Sequence, residues 1–454
     1  MYRNAMNDLY KWKAKKDKKP LIIRGARQVG KTWLMREFGR VAFKDMVYIN
    51  FDNNSQMRDL FAADMRIDRI ITGLELYVGH KIEPLNTLLV FDEIQEVPEA
   101  LNILRYIYEH APQIHVIAAG SMLESLFNKD IHFPVGRVSY LMLRPVSFPE
   151  FLLATEETAA FEQLHQIPIQ TFAHDKLLSL FHTYALIGGM PEVVAHYASQ
   201  RDLKSLGPLY EGLLASYLDD VEKYSSSSAQ TLQIRHAIQT SFHGAGHRIK
   251  FENFGNSSYK SREMGEALRI LEKALLLHLV YPTTSATLPL IPSIGRSPRL
   301  HLLDTGLLNY MVGIQKEIIG TKDLASVYQG IMIEHLVGQE LLAFQFQALS
   351  ELSFWVRDKT TSNAKVDYLF LFDGKLIPIE VKSGAEGSLK SLHLYMDLAP
   401  HTMAVRFYSG PLAVNKLSTP SGKSFHLLNL PYYLVSMLEE YLSWFDQQLQ
   451  SNSN

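Results

Sequence analysis

Cysteine is absent from this sequence of 454 residues, which excludes disulfide bonds and metal sites built on thiolates. An excess of one charge is also absent: 45 lysines and arginines face 47 aspartates and glutamates, so no global basic field attracts nucleic acid. No apolar run approaches the roughly 20 residues that a membrane-spanning helix needs. Residues 1–19 are polar and lysine-rich, without the apolar core of a signal peptide. We therefore expect a cytoplasmic protein with no membrane partner.

Glycine and proline are scarce as well, with 26 and 19 residues, and 47% of the sequence is hydrophobic. This composition is typical of globular domains rather than of low-complexity segments. A chain of this length is too long for a single hydrophobic core, so several domains are expected.

The most specific motif that is present is the run Gly25–Thr32, which fits the pattern G-x-x-x-x-G-K-[ST]. The β-branched stretch Leu21–Ile23 precedes it, and a helix-like segment, Thr32–Phe38, follows. Glycines let successive backbone N–H groups and a helix N-terminus face anionic oxygens. An ordinary glycine turn before a helix is the alternative, but the strand in front and the acidic strand end described below favour a phosphate-binding loop.

In a loop of this kind, Lys31 is expected to reach the β- and γ-phosphates, and the Thr32 hydroxyl to ligate Mg²⁺. ATP and Mg²⁺ are therefore the expected cofactors. The predicted nucleotide-binding residues of the loop and its flank are Gly25, Ala26, Arg27, Gln28, Val29, Gly30, Lys31, Thr32 and Trp33.

A second motif is the apolar strand Leu88–Phe91, which ends at Asp92 and Glu93. Ligands of open α/β sheets bind at the carboxyl ends of strands. Asp92 is expected to hold Mg²⁺ through water, and Glu93 to orient or deprotonate the attacking water. Many strands end in acidic loops, so this motif is specific only together with Gly25–Thr32. The pair predicts hydrolysis of ATP rather than binding alone.

Two further residues are candidates for contact with the nucleotide. Ser121 follows the predicted strand His115–Ala119 and could sense the γ-phosphate, or it is the N-cap of a helix, Met122–Phe127. Arg137 could be an arginine finger that acts across a subunit interface, or an ordinary surface arginine before a strand.

Short apolar strands alternate with amphipathic helices from about residue 20 to residue 145, which predicts a parallel sheet covered by helices. Residues 147–223 are mostly helical, and the polar run Ser225–Ser228 is a candidate linker. The predicted strands are Leu21–Arg24, Met46–Phe51, Thr87–Phe91, His115–Ala119 and Val138–Leu143, and two predicted helices are Met65–Val78 and Pro98–His110.

A helix is predicted to begin near Ser261, with Met264, Leu268, Leu271 and Leu275 on one buried stripe. With the strands Leu276–Tyr281 and Arg299–Leu303 it would complete a winged helix. Lys260, Arg262 and Arg269 lie on or near this possible DNA-recognition helix. A packing helix with solvated basic residues explains the same pattern.

The segment Lys365–Ser383 predicts a hairpin, because Asp373-Gly374 between two apolar runs favours a two-residue turn. In that register Asp367 lies opposite Glu380, and Lys382 shares their face. Two opposed carboxylates are unfavourable unless a cation lies between them, and Mg²⁺ would supply it. Lys382 would then position water or stabilise the transition state.

The pattern resembles the PD-(D/E)XK nuclease core, and Glu334 in the preceding predicted helix matches an acid that such cores often add. The alternatives are a salt-bridged trio and a degenerate nuclease that only binds. Lys365 stands where relatives commonly have glutamate, and this register places it opposite Lys382. Pro378 interrupts the second strand and could shift the pairing.

The ordered series of motifs resembles a large group of prokaryotic AAA-type ATPases with a C-terminal domain of unknown function. The residues that carry the resemblance are Gly25–Thr32, Phe91–Ile94, Ala119–Ser121, Gly136–Arg137, Pro145–Phe151 and Gly188–Glu192.

The resemblance implies an ATPase core at residues 1–150, a helical lid at 151–228, a winged-helix-like segment at 229–305 and a nuclease-like domain at 306–454. The expected fold class is α/β: a P-loop NTPase parallel sheet with a helical lid, followed by a winged helix and an α/β restriction-endonuclease-like domain.

We expect an ATPase that couples ATP to DNA binding or processing. The alternative is a nucleotide-dependent switch that acts on protein partners and carries an inactive nuclease-like domain. A third option is a DNA-stimulated nuclease that the ATPase licenses. An oligomer is compatible with the sequence, since a ring would need an arginine finger in trans and Arg137 is the candidate.

Overall fold

The computed structural model describes residues 1–120, 136–314, 330–346, 351–359, 363–384 and 388–451. Ser121 and the predicted helix Met122–Phe127 lie outside the described residues. Within the described ranges, no helix has both the length and the apolar character needed to cross a membrane.

The N-terminal part alternates strands and helices as the sequence predicts. Each predicted strand is present, with ends that differ by one residue at most. The elements are α1 (Ala5–Ala14), β1 (Leu21–Arg24), α2 (Lys31–Ala42), β2 (Asp45–Asn50), α3 (Ser55–Ala62), α4 (Ile67–Val78), β3 (Thr87–Asp92), α5 (Ala100–His110), β4 (His115–Ala119) and β5 (Ser139–Met142).

These five strands form one sheet in the order β2-β3-β4-β1-β5, and every neighbouring pair is parallel. The prediction of a parallel α/β sheet is therefore confirmed. Strands β3 and β4 are buried along their whole length, as expected of central strands covered by helices on both faces. Since β4 alone separates β1 from β3, the loop after β1 and the acids at the end of β3 lie at the same edge of the sheet.

A helical segment follows, as predicted. Its first helix begins at a capping box, in which the Ser147 backbone N–H donates to Glu150. A sharp turn at Gly188-Gly189 joins the third and fourth helices, and a Cβ atom on Gly189 would lie 2.2 Å from the Val146 carbonyl oxygen. The helices are α6 (Phe148–Ala154), α7 (Thr158–Leu164), α8 (His174–Ile187), α9 (Pro191–Gln200) and α10 (Gly207–Tyr224).

The middle segment contains two packed helices and an antiparallel strand pair, β6 with β8. The helix predicted near Ser261 begins there, but it ends at Lys273, so Leu275 does not extend its stripe. Leu275 instead occupies a tight turn with φ of 61°. The winged-helix assignment stays a prediction. The elements are α11 (Ser228–Ser241), α12 (Ser261–Lys273), β6 (Leu277–Val280), β7 (Pro282–Thr283) and β8 (Arg299–Leu302).

The C-terminal part builds a mixed sheet in the order β11-β12-β13-β15-β14 and a smaller sheet in the order β10-β9-β7. The elements are α13 (Thr305–Met311), α14 (Gly330–Ala343), β9 (Phe354–Val356), β10 (Lys365–Val366), β11 (Tyr368–Phe372), β12 (Lys375–Val381), α15 (Lys390–Leu398), β13 (Met403–Tyr408), β14 (Ala413–Ser418), β15 (Ser424–Pro431) and α16 (Leu438–Ser451).

The hairpin β11–β12 has the predicted register. Phe372 pairs with Lys375 across the turn, and the ladder runs outward to Tyr368 opposite Ile379. Pro378 does not shift the pairing, because the parallel ladder to β13 begins only at the next residue, Ile379.

The expectation that Lys365 opposes Lys382 is wrong. The chain leaves the ladder at Asp367, and Lys365 pairs instead with Val356 of β9 in the smaller sheet. The bend at Asp367 therefore turns Lys365 away from the hairpin register.

Candidate nucleotide site and the terminal charged cluster

The loop Gly25–Thr32 runs from the end of β1 to the start of α2. Gly25 must be glycine, because a Cβ atom there would lie 2.4 Å from the Leu143 carbonyl oxygen. Gly30 has φ of 94°, in the left-handed region that favours glycine. The buried guanidinium of Arg3 donates to the Val29 carbonyl at 2.9 Å and so attaches the loop to the segment before α1. These constraints fix the loop at the N-terminus of a helix, where backbone N–H groups face an anion.

Lys31 lies under this loop and is almost completely buried. Its Nζ donates to the carbonyl oxygens of Gly25 and Ala26, both at 2.9 Å. Burial lowers the pKa of Lys31 to about 8, although the charges of Glu93 and Asp92 oppose this shift. A buried ammonium held by carbonyl groups is poised to bind an anion, which would stabilise its charge.

Asp92 connects β3 to the loop. Its Oδ2 accepts hydrogen bonds from the Thr32 hydroxyl at 2.6 Å and from the Tyr48 hydroxyl at 2.8 Å. Burial, with the bond to Asp92, raises the pKa of Tyr48 to about 12, so this tyrosine remains a donor. The predicted pair of Mg²⁺ ligands, Thr32 and Asp92, is thus brought into direct contact.

Glu93 has φ of 51°, a left-handed conformation that is uncommon for a residue with a side chain. Gln95 donates from Nε2 to Glu93 Oε2 at 2.6 Å and orients the carboxylate. Such a conformation persists only where surrounding contacts hold it. Glu93 is half-buried next to Asp92, where sequence reasoning places the base.

The remaining predicted nucleotide-site residues have different surroundings. Arg27 forms an ion pair with Asp220 of α10. Trp33 is 41% exposed on α2. Arg137 donates to Glu109 of α5 at 2.9 Å, so the arginine-finger role stays a prediction.

A second cluster of charges lies where α14, β8 and the hairpin meet. Arg299 of β8 is buried, forms an ion pair with Glu334 and donates to the Asp367 carbonyl at 2.8 Å. Lys365 lies 3.0 Å from Glu334 and 3.1 Å from the Asp367 carboxylate. Burial lowers the pKa of Lys365, but the charges of Asp367 and Glu334 outweigh this and raise it, so the lysine stays charged.

The other half of this cluster is Glu380 and Lys382. Lys382 donates to Glu380 Oε1 at 2.5 Å. The Val381 backbone N–H donates to Asp367 Oδ2 at 2.9 Å, so the Asp367 side chain reaches the residue next to Glu380. Burial, followed by the charge of Asp367, raises the pKa of Glu380. Glu380 Oε2 is buried and has no hydrogen-bond partner within the described part of the chain.

We call these six residues the terminal charged cluster: Glu334, Asp367, Glu380, Arg299, Lys365 and Lys382. The cluster contains three acidic and three basic side chains, and each acid has a basic neighbour. Among the described residues, no group of three or more histidine, aspartate or glutamate side chains could hold a metal ion. Glu334 and Asp367 therefore already have basic neighbours, whereas Glu380 Oε2 has no hydrogen-bond partner among the described residues.

Sequence reasoning missed three residues that the fold brings to these sites. Tyr48 reaches Asp92 from the adjacent strand β2, and Arg3 reaches the loop from the segment before α1. Arg299 reaches Glu334 from β8. The only available signal was that each is a polar residue in or beside an apolar segment, which does not specify a partner.

Three family models match parts of the chain. Residues 17–152 match an AAA domain, residues 178–318 match a domain of unknown function (DUF8612), and residues 329–433 match another domain of unknown function (DUF4143). No curated protein sequence matches the chain.

Solved structures with some likeness share little sequence with this chain. A Walker-type ATPase of Pyrococcus abyssi is 14% identical over 68% of this chain and 95% of its own, with a TM-score of 0.45. A RuvB variant of Thermotoga maritima is 12% identical over 61% and 89%, with a TM-score of 0.28. DnaA of Aquifex aeolicus, bound to AMPPCP, is 13% identical over 59% and 85%, with a TM-score of 0.23.

The parallel sheet with its loop and the match of residues 17–152 agree with each other. Together they support an AAA-type, nucleotide-binding P-loop domain in the N-terminal part of the chain.

Proposed function

We propose that this protein binds and hydrolyses ATP at Gly25–Thr32. The observation that carries the proposal is the 2.6 Å bond from the Thr32 hydroxyl to Asp92, which joins the loop after β1 to the end of β3 across β4. Two sequence motifs far apart in the chain thereby form one site. The residues expected to bind a triphosphate and those expected to activate water lie around the same point.

Each residue has a distinct role in this proposal. Lys31 neutralises phosphate charge in a buried position, where an ion pair is stronger than in water. The Thr32 and Asp92 oxygens would hold Mg²⁺, which neutralises charge on the phosphates when bound. Glu93, oriented by Gln95, accepts a proton from the attacking water.

The test is Glu93→Gln in the full chain. We expect ATP binding to persist and turnover to fall by about 100-fold, because the amide cannot accept the proton. The matched control is Glu96→Gln, since Glu96 is an exposed acid three residues further on and should leave turnover unchanged. Retained turnover in Glu93→Gln would place the base elsewhere.

ATP hydrolysis could be coupled either to DNA or to protein partners. Coupling to DNA was the first expectation from sequence, and the possible recognition helix α12 is the relevant surface. There Arg262 pairs with Glu266 at 3.1 Å, and Arg269 lies over the Phe251 ring at 6.0 Å. Both arginines therefore have partners within the chain, as expected of basic residues on the solvent-exposed face of a packing helix.

The self-neutralised terminal charged cluster favours the alternative, in which the protein is a nucleotide-dependent switch with an inactive nuclease-like domain. The acids of the cluster are each paired with a lysine or arginine, and these pairs would have to rearrange to admit the metal that phosphodiester cleavage requires. We therefore favour protein partners, and DNA coupling is the second candidate.

ATPase turnover with and without duplex and single-stranded DNA, measured together with molecular mass, separates the two. DNA coupling predicts faster turnover and binding that weakens steeply as salt rises. Unchanged turnover and no binding at low salt would support the switch. Cleavage that requires Mg²⁺ and is lost in Asp367→Ala and Lys382→Ala would contradict it.

A further inference from the structure

Helix α10 contacts the phosphate loop at Arg27. The Tyr217 hydroxyl donates to the Arg27 carbonyl at 3.2 Å, and the Arg27 guanidinium donates to Asp220. Asp220 is 5% exposed, whereas the Arg27 side chain is 39% exposed. A residue of the predicted triphosphate site is therefore held by a carboxylate of the next segment of the chain.

Two acids stabilise the charge of Arg27. Burial lowers the pKa of Arg27, but the hydrogen bond and charge of Asp220 and the charge of Glu93 outweigh this and raise it. The charge of the guanidinium therefore interacts with that of Glu93, the predicted base. It is also exposed enough to change its partner without unpacking the core.

Asp220 has a second cation available. Lys223, one helical turn further along α10, lies 3.4 Å from Asp220. A buried carboxylate that loses its partner is costly, and Lys223 would reduce that cost if Arg27 moved away. The ion pair can therefore exchange without leaving Asp220 uncompensated.

The Arg27–Asp220 ion pair lies near the C-terminal end of α10, close to the start of the middle segment. Helix α10 ends at Tyr224, only four residues after Asp220, and α11 begins at Ser228. A change at the Asp220 end of α10 would therefore reach the middle segment through three residues, Ser225–Ser227.

We propose that Asp220 competes with the triphosphate for Arg27, so that nucleotide occupancy is passed to α10 and α11. In the structure, Arg27 is bound to Asp220. A polyphosphate, which arginine binds more strongly than a single carboxylate, draws the guanidinium away and leaves Lys223 as the partner of Asp220. This inference rests on the proposed ATP site and names the residues through which that site would regulate the rest of the chain.

The test measures ATP affinity in the full chain by titration with a fluorescent, non-hydrolysable ATP analogue. Removing the competitor in Asp220→Asn should tighten binding by about fivefold, the size expected for one partly exposed ion pair. The matched control is Asp219→Asn, because Asp219 is the preceding residue of α10 and is exposed. In an Arg27→Gln background, Asp220→Asn should have no effect on affinity.

A second measurement separates competition from simple stabilisation of the loop. Hydrogen exchange of the segment 217–228 should increase when the analogue binds to wild type, and it should not change in Arg27→Gln. If Asp220→Asn binds the analogue with the same affinity as Asp219→Asn, or more weakly than wild type, Asp220 does not compete with the triphosphate. The proposal is also wrong if hydrogen exchange of residues 217–228 decreases when the analogue binds to wild type.

The two proposals can fail separately. A wild-type chain that binds no ATP overturns both. A wild-type chain that binds and hydrolyses ATP, with equal affinities in Asp220→Asn and Asp219→Asn, overturns this inference alone.

Discussion

The phosphate loop and the terminal charged cluster each contain a buried cation, Lys31 and Arg299 respectively, but these two charges are stabilised in different ways. Lys31 donates to two backbone carbonyl groups and has its pKa lowered by burial. In the terminal charged cluster, Arg299, Lys365 and Lys382 each lie beside a carboxylate. The loop therefore has a place for a negatively charged ligand, and the cluster supplies its own counter-charges.

This difference distinguishes a ligand site from a structural one. A buried charge without an opposite charge costs free energy, which binding of a ligand can recover. A buried pair is stable only while both members remain, and losing one of them is strongly destabilising. Mutations in the loop should therefore affect activity first, whereas mutations in the cluster should affect stability first.

The largest expected effect is on turnover in Lys31→Ala. Loss of the buried ammonium removes charge stabilisation that is largest in the transition state, and we expect turnover to fall by about 1,000-fold. A steady-state ATPase assay measures it, with far-UV circular dichroism to confirm folding. The control is Arg40→Gln, an exposed residue of the same helix that pairs with Glu37. A loss of less than tenfold would contradict the role of Lys31.

The next effect is on stability in Glu334→Ala. This change removes the ion-pair partner of the buried Arg299 guanidinium, which keeps its hydrogen bond to the Asp367 carbonyl and its contacts with two aromatic rings. We expect the free energy of unfolding to fall by about 3 kcal/mol, the cost of an uncompensated buried charge. Thermal unfolding measures it. Lys365→Ala removes a cation that is 45% exposed and should cost less than about 1 kcal/mol. If Glu334→Ala and Lys365→Ala lower the free energy of unfolding equally, Arg299 is not the central charge of the cluster.

A third change should convert the cluster into a metal site. In Lys365→Glu, one cation is replaced by an acid next to Asp367 and Glu334, so excess negative charge requires a cation. We expect Mn²⁺ to bind at least about tenfold more tightly than to wild type, measured by electron paramagnetic resonance of free Mn²⁺. Wild type that already binds Mn²⁺ at this cluster, with loss of binding in Asp367→Ala, would show that the protein's own cations do not exclude the metal.

The sequence predicted the phosphate loop and the parallel sheet because their signals are local. Gly25–Thr32 is contiguous, and the strands before and after it alternate with helices. The hairpin register was also local, since the two-residue turn at Asp373-Gly374 fixes every pair from Phe372–Lys375 outward to Tyr368–Ile379.

The charge balance could not be predicted in the same way. Arg299 reaches Glu334 only because β8 packs beside α14, and no pattern in the sequence links these elements. The position of Lys365 was predicted wrongly, because the strand was extended through Asp367 where the chain bends into another sheet. Arg27 and Asp220 likewise meet only through the packing of α10 on the loop. Contacts between distant segments determine which charges are paired.

The smallest expected effect is the uptake of protons when ATP binds, which reports directly on how the charge of Lys31 is stabilised. With a pKa of about 8, Lys31 is about half-protonated at pH 8 in the free protein. A bound triphosphate favours the ammonium form and raises that pKa, so binding should take up as much as about half a proton at pH 8 and almost none at pH 6.5. Isothermal titration calorimetry in buffers of different ionisation enthalpy measures this uptake. Lys31→Arg, which stays protonated in this range, should show none. Equal uptake in wild type and Lys31→Arg would mean that another group titrates, and that the loop lysine is charged before ATP arrives.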